Sequence, residues 1–285
     1  MITAEQIRQR VKSLPSMPTT VVALGQAVAD DRCTVDRILV ILAKDPALSA
    51  TMLRLANSVM FAGDSRVGDL RNAVMRLGFD AILTLGRSAA IIRSFRNSNH
   101  LDPYRLWQHS VAVGLVARGI CKLQRDNYEG ESAYLAGLLH DIGKIALDRC
   151  FTDEYAPVVA AIDAGAVCLE AERELLGVTH AEVGAMVATN WSFPEDLVDA
   201  IRGHHDAEPA TFLPALIQLA DLLVRSRISN GPADDTLSFV LEDQPAFHVV
   251  FPGAKAEGLD TEKLTFSIDD ELDHAVTFVK LAFQD

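Results

Sequence analysis

Apolar residues recur at three- and four-residue spacing along most of the chain, and the two-residue alternation of a half-buried strand is absent. The pattern predicts an all-α protein. An opening helix is expected over 3–12, followed by Leu14-Pro-Ser-Met-Pro18, where two prolines force extended backbone. Helices are then expected over 19–30, 34–43, 46–57, 69–77 and 80–95. Asp45 can cap the third of these, Pro46 suits its first position, and Gly78 separates the last two. Polar Asn97-Ser-Asn-His-Leu-Asp-Pro103 marks a boundary, beyond which the spacing predicts helices over 103–124, 131–148, 153–164, 168–175, 180–190, 194–204 and 212–228. Thr179 and Glu182 form a capping-box pattern, and Pro194-Glu-Asp suits a first turn. Residues 229–262 are interrupted by Gly, Pro and Asp before a final helix over 268–284. This divides the chain into an N-terminal helical subdomain (1–98), a second helical domain (99–228) and a C-terminal extension (229–285).

Composition narrows the function. A chain of 285 residues, 49% hydrophobic and 23% charged, is ordinary for a globular protein with one or two cores. Its net charge of −13, with no basic stripe, argues against DNA and against sequence-independent nucleic-acid binding. A small anionic substrate stays compatible, because metal ions reverse the sign inside a pocket. Cys33, Cys121, Cys150 and Cys168 are widely spaced without a CxxC pair, which reads as core thiols in a reducing compartment. The first residues lack a basic stretch followed by an apolar block. No apolar run approaches the roughly 20 residues that span a bilayer, so a cytoplasmic chain is expected.

The chemistry concentrates in a few polar residues set in apolar helices. His140 and Asp141 lie side by side in Leu135-Ala-Gly-Leu-Leu-His-Asp-Ile-Gly-Lys144. Burying either unpaired costs several kcal/mol, and a divalent metal compensates both, since imidazole and carboxylate are ordinary ligands. His109 shares a helix face with Leu106, Val113 and Val116; alone, such a histidine is more often a satisfied core residue than a ligand. His180 opens its helix on the face of Val183, Gly184 and Val187. His204 and His205 close another helix, where a solvated, dipole-stabilised pair is the alternative. Asp221 lies in Leu216-Ile-Gln-Leu-Ala-Asp-Leu-Leu-Val224; its alternative is an ion pair with Arg225 or Arg227. Together these seven residues fall on five helices, which is how all-α metalloproteins converge ligands. Three or four ligands serve one metal, so seven allow two, with Asp141 as the bridge. Lys144, three residues beyond Asp141, can lean over the same site toward an anion; its alternative is a surface lysine. Such a site accepts iron, manganese, zinc or nickel.

The order His…His-Asp…His…His-His…Asp resembles the signature of the HD superfamily of metal-dependent phosphohydrolases. Leu14-Pro-Ser-Met-Pro18, Lys44-Asp-Pro-Ala-Leu-Ser-Ala-Thr-Met-Leu-Arg-Leu-Ala-Asn-Ser58, Ala73-Val-Met-Arg-Leu-Gly78 and Glu172-Arg-Glu-Leu-Leu-Gly-Val-Thr-His-Ala-Glu-Val-Gly184 resemble its HDOD branch, over roughly residues 10–225. The resemblance implies an all-helical fold and a role in bacterial signal transduction. Many HDOD members have lost the metal ligands and act as binding modules; here all seven positions hold competent donors. It implies one metal on His109, His140, Asp141 and Asp221, a second on His180, His204 and His205 with Asp141 shared, and Lys144 on a phosphate oxygen. The expected activity is hydrolysis of a phosphoester or nucleotide. The alternative is a non-catalytic signalling module that binds a protein partner and keeps a structural or sensory metal. The chain departs from the cyclic di-GMP phosphodiesterases of the HD-GYP group: Asp206-Ala-Glu-Pro follows His205 where that motif would stand, and Arg105 takes the place of a third-metal carboxylate.

Overall fold

The structure, a computed structural model, describes residues 2–58, 66–124, 130–227, 241–253 and 261–284, and among them the regular elements are all helical. The α-helices are α1 (Ala4–Val11), α2 (Thr19–Val28), α3 (Val35–Leu42), α4 (Pro46–Ala56), α5 (Leu70–Leu77), α6 (Phe79–Ser94), α7 (Pro103–Gln124), α8 (Gly130–Leu139), α9 (Ile142–Cys150), α10 (Thr152–Asp163), α11 (Cys168–Leu175), α12 (His180–Asn190), α13 (Glu195–Gly203), α14 (Phe212–Arg225), α15 (Pro245–Val250) and α16 (Thr261–Phe283). Much of the punctuation follows the sequence. Asp45 accepts from the Leu48 amide ahead of Pro46, and Thr179 and Glu182 close a reciprocal capping box. Gly78 turns between α5 and α6 at φ +83°, a conformation that favours glycine.

Three elements differ from expectation, one of them the final helix, which begins at Thr261 rather than at 268. The helix expected over 131–148 is broken: α8 ends at Leu139, His140 and Asp141 form a turn, and α9 restarts at Ile142. Asp141 stands at φ −98°, ψ 7°, and the His140 ring bonds the Gly137 carbonyl (2.7 Å) in the last turn of α8. The short helix α15, within a stretch that reads as irregular, begins on Pro245 and buries Ala246, Phe247 and Val250. Of the extension expected over 229–285, residues 229–240 and 254–260 lie outside the described residues, as does residue 228 at the end of an expected helix.

The chain divides into two compact units, one of Met1–Leu14 with Asn97–Leu272, the other of Pro15–Arg96 with Asp273–Asp285. In the second, α2, α4 and α5 pack against α6 around Leu24, Leu48, Met52, Leu55 and Ile82, all buried. The first unit holds every candidate site residue. Its α7 buries residues on all sides, Val111, Ala112, Val113, Leu115 and Ala117 among them, so it is a central helix. Backbone approach at two crossings sets the geometry. A Cβ on Gly137 would meet the Gly114 backbone at 2.6 Å where α7 crosses α8. A Cβ on Gly143 would meet the His180 carbonyl at 1.9 Å where α9 crosses α12. Only glycine permits these approaches. No helix among the described residues is long and apolar enough to cross a membrane.

Candidate metal centre

All seven residues singled out from the sequence converge in the first unit, from α7, the α8–α9 turn, α12, the end of α13 and α14. His140, Asp141, His180, His204 and Asp221 are each at most 2% exposed, while His109 and His205 are half-buried. His204 is therefore no solvated partner of His205. Asp141 lies at the middle. Its Oδ2 is 3.4 Å from His140 Nε2 and 3.9 Å from His109 Nε2; its Oδ1 is 3.3 Å from His180 Nε2 and 3.9 Å from His204 Nε2. Asp221 Oδ1 joins the first set, 3.0 Å from His109 Nε2 and 4.0 Å from His140 Nε2. His205 Nε2 joins the second, 3.1 Å from His180 Nε2.

The histidines are pinned so that Nε2 faces inward. Nδ1–H of His140 donates to the Gly137 carbonyl and Nδ1–H of His204 to the Ile201 carbonyl, both at 2.7 Å and both three residues back at a helix end. Nδ1–H of His180 donates to Oε2 of Glu172 at 2.8 Å. Carbonyls and carboxylates only accept, so each Nδ1 carries the proton and, in the neutral ring, Nε2 presents a bare lone pair. Backbone and carboxylate partners on the distal nitrogen are the ordinary support of metal-binding imidazoles.

Asp221 is also ion-paired, as its alternative reading required: Arg225, one turn on, holds Oδ2 at 3.0 Å. That leaves Oδ1 for the cluster, so the ion pair and the site coexist. Lys144 is no surface residue. It is 7% exposed, with Nζ 2.9 Å from Asp141 Oδ2. Arg105 stays at the surface beside Asp102, 3.5 Å away.

Electrostatics follow from this crowding. Burial alone would raise the pKa of Asp141, yet the charges of His140 and Lys144 hold it well below the usual carboxylate range. Asp221 is held down in the same way, chiefly by Arg225 against the burial penalty. Burial works against charge on His140 and His180, but Asp141 and Glu172 respectively outweigh it and raise both. His204 goes the other way, pushed well below its ordinary value by burial and then by His205, His140 and His180.

The donor set fits a divalent cation. His140 Nε2, Asp141 Oδ1, His204 Nε2 and Asp221 Oδ1 are buried with no hydrogen-bond partner among the described residues, an arrangement that costs roughly 1–3 kcal/mol per group unless something compensates it. Metal–ligand distances near 2.1 Å separate neighbouring ligand atoms by about 3.0–3.4 Å, close to the spacings above. Groups of three, His180-His204-His205 and His109-His140-Asp141, have their ligand atoms within 4.8 Å of one another.

Sequence reasoning missed Glu172. It lies on α11 between Glu170 and Glu174, where a solvated acidic face is the obvious reading, yet it is fully buried. The signal was there: Cys168, Leu169 and Leu176, at −4, −3 and +4, put it on the apolar face.

The fold and cluster define an all-helical protein with a buried histidine–carboxylate centre, and solved structures share its fold. The HDOD domain profile matches residues 14–207, and the chain belongs to the HDOD family. It is similar to an HDOD domain protein with unknown function from Geobacter sulfurreducens, at 25% identity and TM-score 0.83, covering 99% of this chain and 100% of that one. It is also similar to a protein of Shewanella amazonensis named as a candidate phosphohydrolase, at 25% identity and TM-score 0.77, covering 97% and 98%. In sequence it is 26% identical over 239 residues to an uncharacterized protein of Treponema pallidum, covering 80% of this chain and 45% of that one. It is 27% identical over 224 residues to ribonuclease Y of Acholeplasma laidlawii, covering 78% and 31%. The chain thus spans less than half the length of these curated relatives.

Proposed function

We propose that this HDOD protein is a metal-dependent phosphohydrolase of bacterial signal transduction, acting on a small phosphoester or nucleotide. The observation that carries the reading is the Asp141 carboxylate, with one oxygen toward His109 and His140, beside which Asp221 lies, and the other toward His180 and His204, beside which His205 lies. On this reading Asp141 and the two histidine sets would hold two divalent metals, iron, manganese, zinc or nickel, with Asp141 shared between them. Bound there, such a pair lowers the pKa of water toward neutrality and neutralises charge on an attacked phosphoryl group.

The chain's own residues supply the rest. Lys144, buried beside Asp141, is the cation that binds a phosphate oxygen of the substrate. Arg225 keeps Asp221 ionised and turned so that Oδ1 faces the centre. His109 and His205 are half-buried where the other five candidates are buried, so on this reading substrate reaches the centre past them. The phosphohydrolase and ribonuclease names of its relatives favour phosphorus–oxygen chemistry. A net charge of −13 favours a small substrate over a polynucleotide backbone.

The test is metal analysis of protein purified without chelator or metal-affinity tag, followed by assays with a phosphomonoester and a phosphodiester of p-nitrophenol. About two metals per chain and turnover that disappears in Asp141→Asn are expected. Protein that takes up no metal would overturn the whole reading. Metal without turnover of either ester would leave the centre as a structural or sensory site in a signalling module.

A further inference from the structure

His140 and His204 lean on neutral backbone carbonyls, but His180 leans on a charge. Glu172 is fully buried, and among the described residues its ion pair is with His180. Its Oε2 accepts from both the backbone N–H (2.7 Å) and Nδ1–H (2.8 Å) of His180, so a single oxygen fixes the start of α12 and the orientation of the ring. The other oxygen faces the Tyr155 hydroxyl at 3.4 Å and the Cys168 thiol at 3.6 Å, both buried. A carboxylate opposite Nδ1–H draws the proton toward itself and makes Nε2 a stronger donor than a carbonyl partner would. It places a carboxylate behind one histidine set, whereas the other set has its carboxylate, Asp221, among the ligand atoms themselves.

We propose that Glu172 is a positioning residue that acts on one metal position alone, strengthening the hold of His180, His204 and His205 on a divalent cation and leaving the position built by His109, His140 and Asp221 unaffected. The inference rests on the two-metal reading of the site. Glu172 touches neither substrate nor metal; it acts through the His180 ring.

The experiment measures Mn2+ affinity of the full chain by calorimetry in two backgrounds. His109→Ala disables the first position and leaves the second; His205→Ala does the reverse. Glu172→Gln, which keeps an acceptor for the α12 amide while removing the charge, should weaken Mn2+ binding about 10–100-fold in the His109→Ala background. In the His205→Ala background it should change affinity by less than about threefold. An equal loss in both backgrounds, or none in the first, overturns the inference. Wild-type protein that binds no Mn2+ instead overturns the two-metal reading beneath it. Should Glu172→Gln not fold, proton NMR of Zn2+-loaded wild type decides. The Nδ1–H of His180 should resonate farthest downfield of the pinned ring protons. A His180 signal no farther downfield than those of His140 and His204 overturns the proposal.

Discussion

The Lys144 ammonium sits 2.9 Å from Oδ2 of Asp141, the same carboxylate oxygen that faces His109 and His140. A buried lysine so placed is a counter-charge to the carboxylate and, on the proposed reading, a hand for a substrate phosphate. Replacing it separates the two roles. Lys144→Met should keep the metal content of wild type and lower kcat/KM for a phosphomonoester roughly 10–100-fold, the worth of one charge-assisted hydrogen bond. Loss of metal in this variant, measured by elemental analysis, would instead assign Lys144 to holding Asp141.

Asp141→Asn should disable both halves of the centre at once. The substitution removes the negative charge that opposes several nearby cationic groups and leaves an amide facing two histidine sets. Elemental analysis should find well under one metal per chain. By contrast, His109→Ala should leave about one, because His180, His204, His205 and Asp141 Oδ1 are untouched.

Metal binding should release protons and weaken in acid. His140 and His180 are raised above their ordinary value by Asp141 and Glu172, so without metal each keeps a second proton to above pH 6.5. A metal on Nε2 has to displace it. Affinity therefore falls as pH drops through the raised values, by up to tenfold per pH unit for each proton displaced. Calorimetry at pH 7 in two buffers of different ionisation enthalpy should report that release. In metal-free protein the same two raised groups stabilise the fold below pH 6.5, and this contribution disappears as pH rises through their folded values. His204, depressed, has the opposite sign: its contribution is present above pH 6.5 and is lost as pH falls below it.

Gly143→Ala tests the backbone crossing beneath the centre. A methyl 1.9 Å from the His180 carbonyl cannot be accommodated unless α9 and α12 separate. Overpacking of this kind costs about 1–3 kcal/mol, and more where the neighbour is backbone. The thermal midpoint should drop by several degrees and metal content should fall with it. Gly119→Ala on α7, where a Cβ meets nothing within 4 Å, is the matched control: metal content should hold and the thermal midpoint should hold or rise slightly, since alanine is the better helix former.

The cysteines give a chemical probe of burial. Cys121 is pushed up to about 11 by burial, which leaves little thiolate at pH 8. Alkylation with iodoacetamide, followed by peptide mass spectrometry, should modify half-buried Cys33 well before Cys121 or the buried Cys168.

Much of this was legible in the residues. Helix starts came from local chemistry, Asp45 with Pro46 and Thr179 with Glu182, because caps act within one turn. The break at His140-Asp141 was not legible. α8 and α9 are buried nearly all round, so the chain carries no polar face whose phase would shift at the break. The seven candidates could be proposed because a lone His or Asp among apolar neighbours stands out. Glu172 did not, since Glu170, Arg173 and Glu174 crowd it in sequence and mask the apolar spacing of Cys168, Leu169 and Leu176. Nor could the sequence say that Asp221 both pairs with Arg225 and faces the cluster, because that depends on which carboxylate oxygen points where.

The far end of α9 carries one more buried acid. Asp148 accepts from the Ser98 hydroxyl and from the amides of Asn99 (2.5 Å) and His100 (3.1 Å), in the segment that leads into α7. Asn99 returns the contact, donating from its side chain to the Asp148 carbonyl (3.0 Å). A nine-residue rod is thus tied at one end to the turn bearing Asp141 and at the other to the root of the helix bearing His109. Any displacement of Asp141 along the rod is passed to the foot of α7, so the gap between the two side chains behaves as a caliper of fixed opening. Asp148→Asn would loosen the screw of that caliper without touching either jaw.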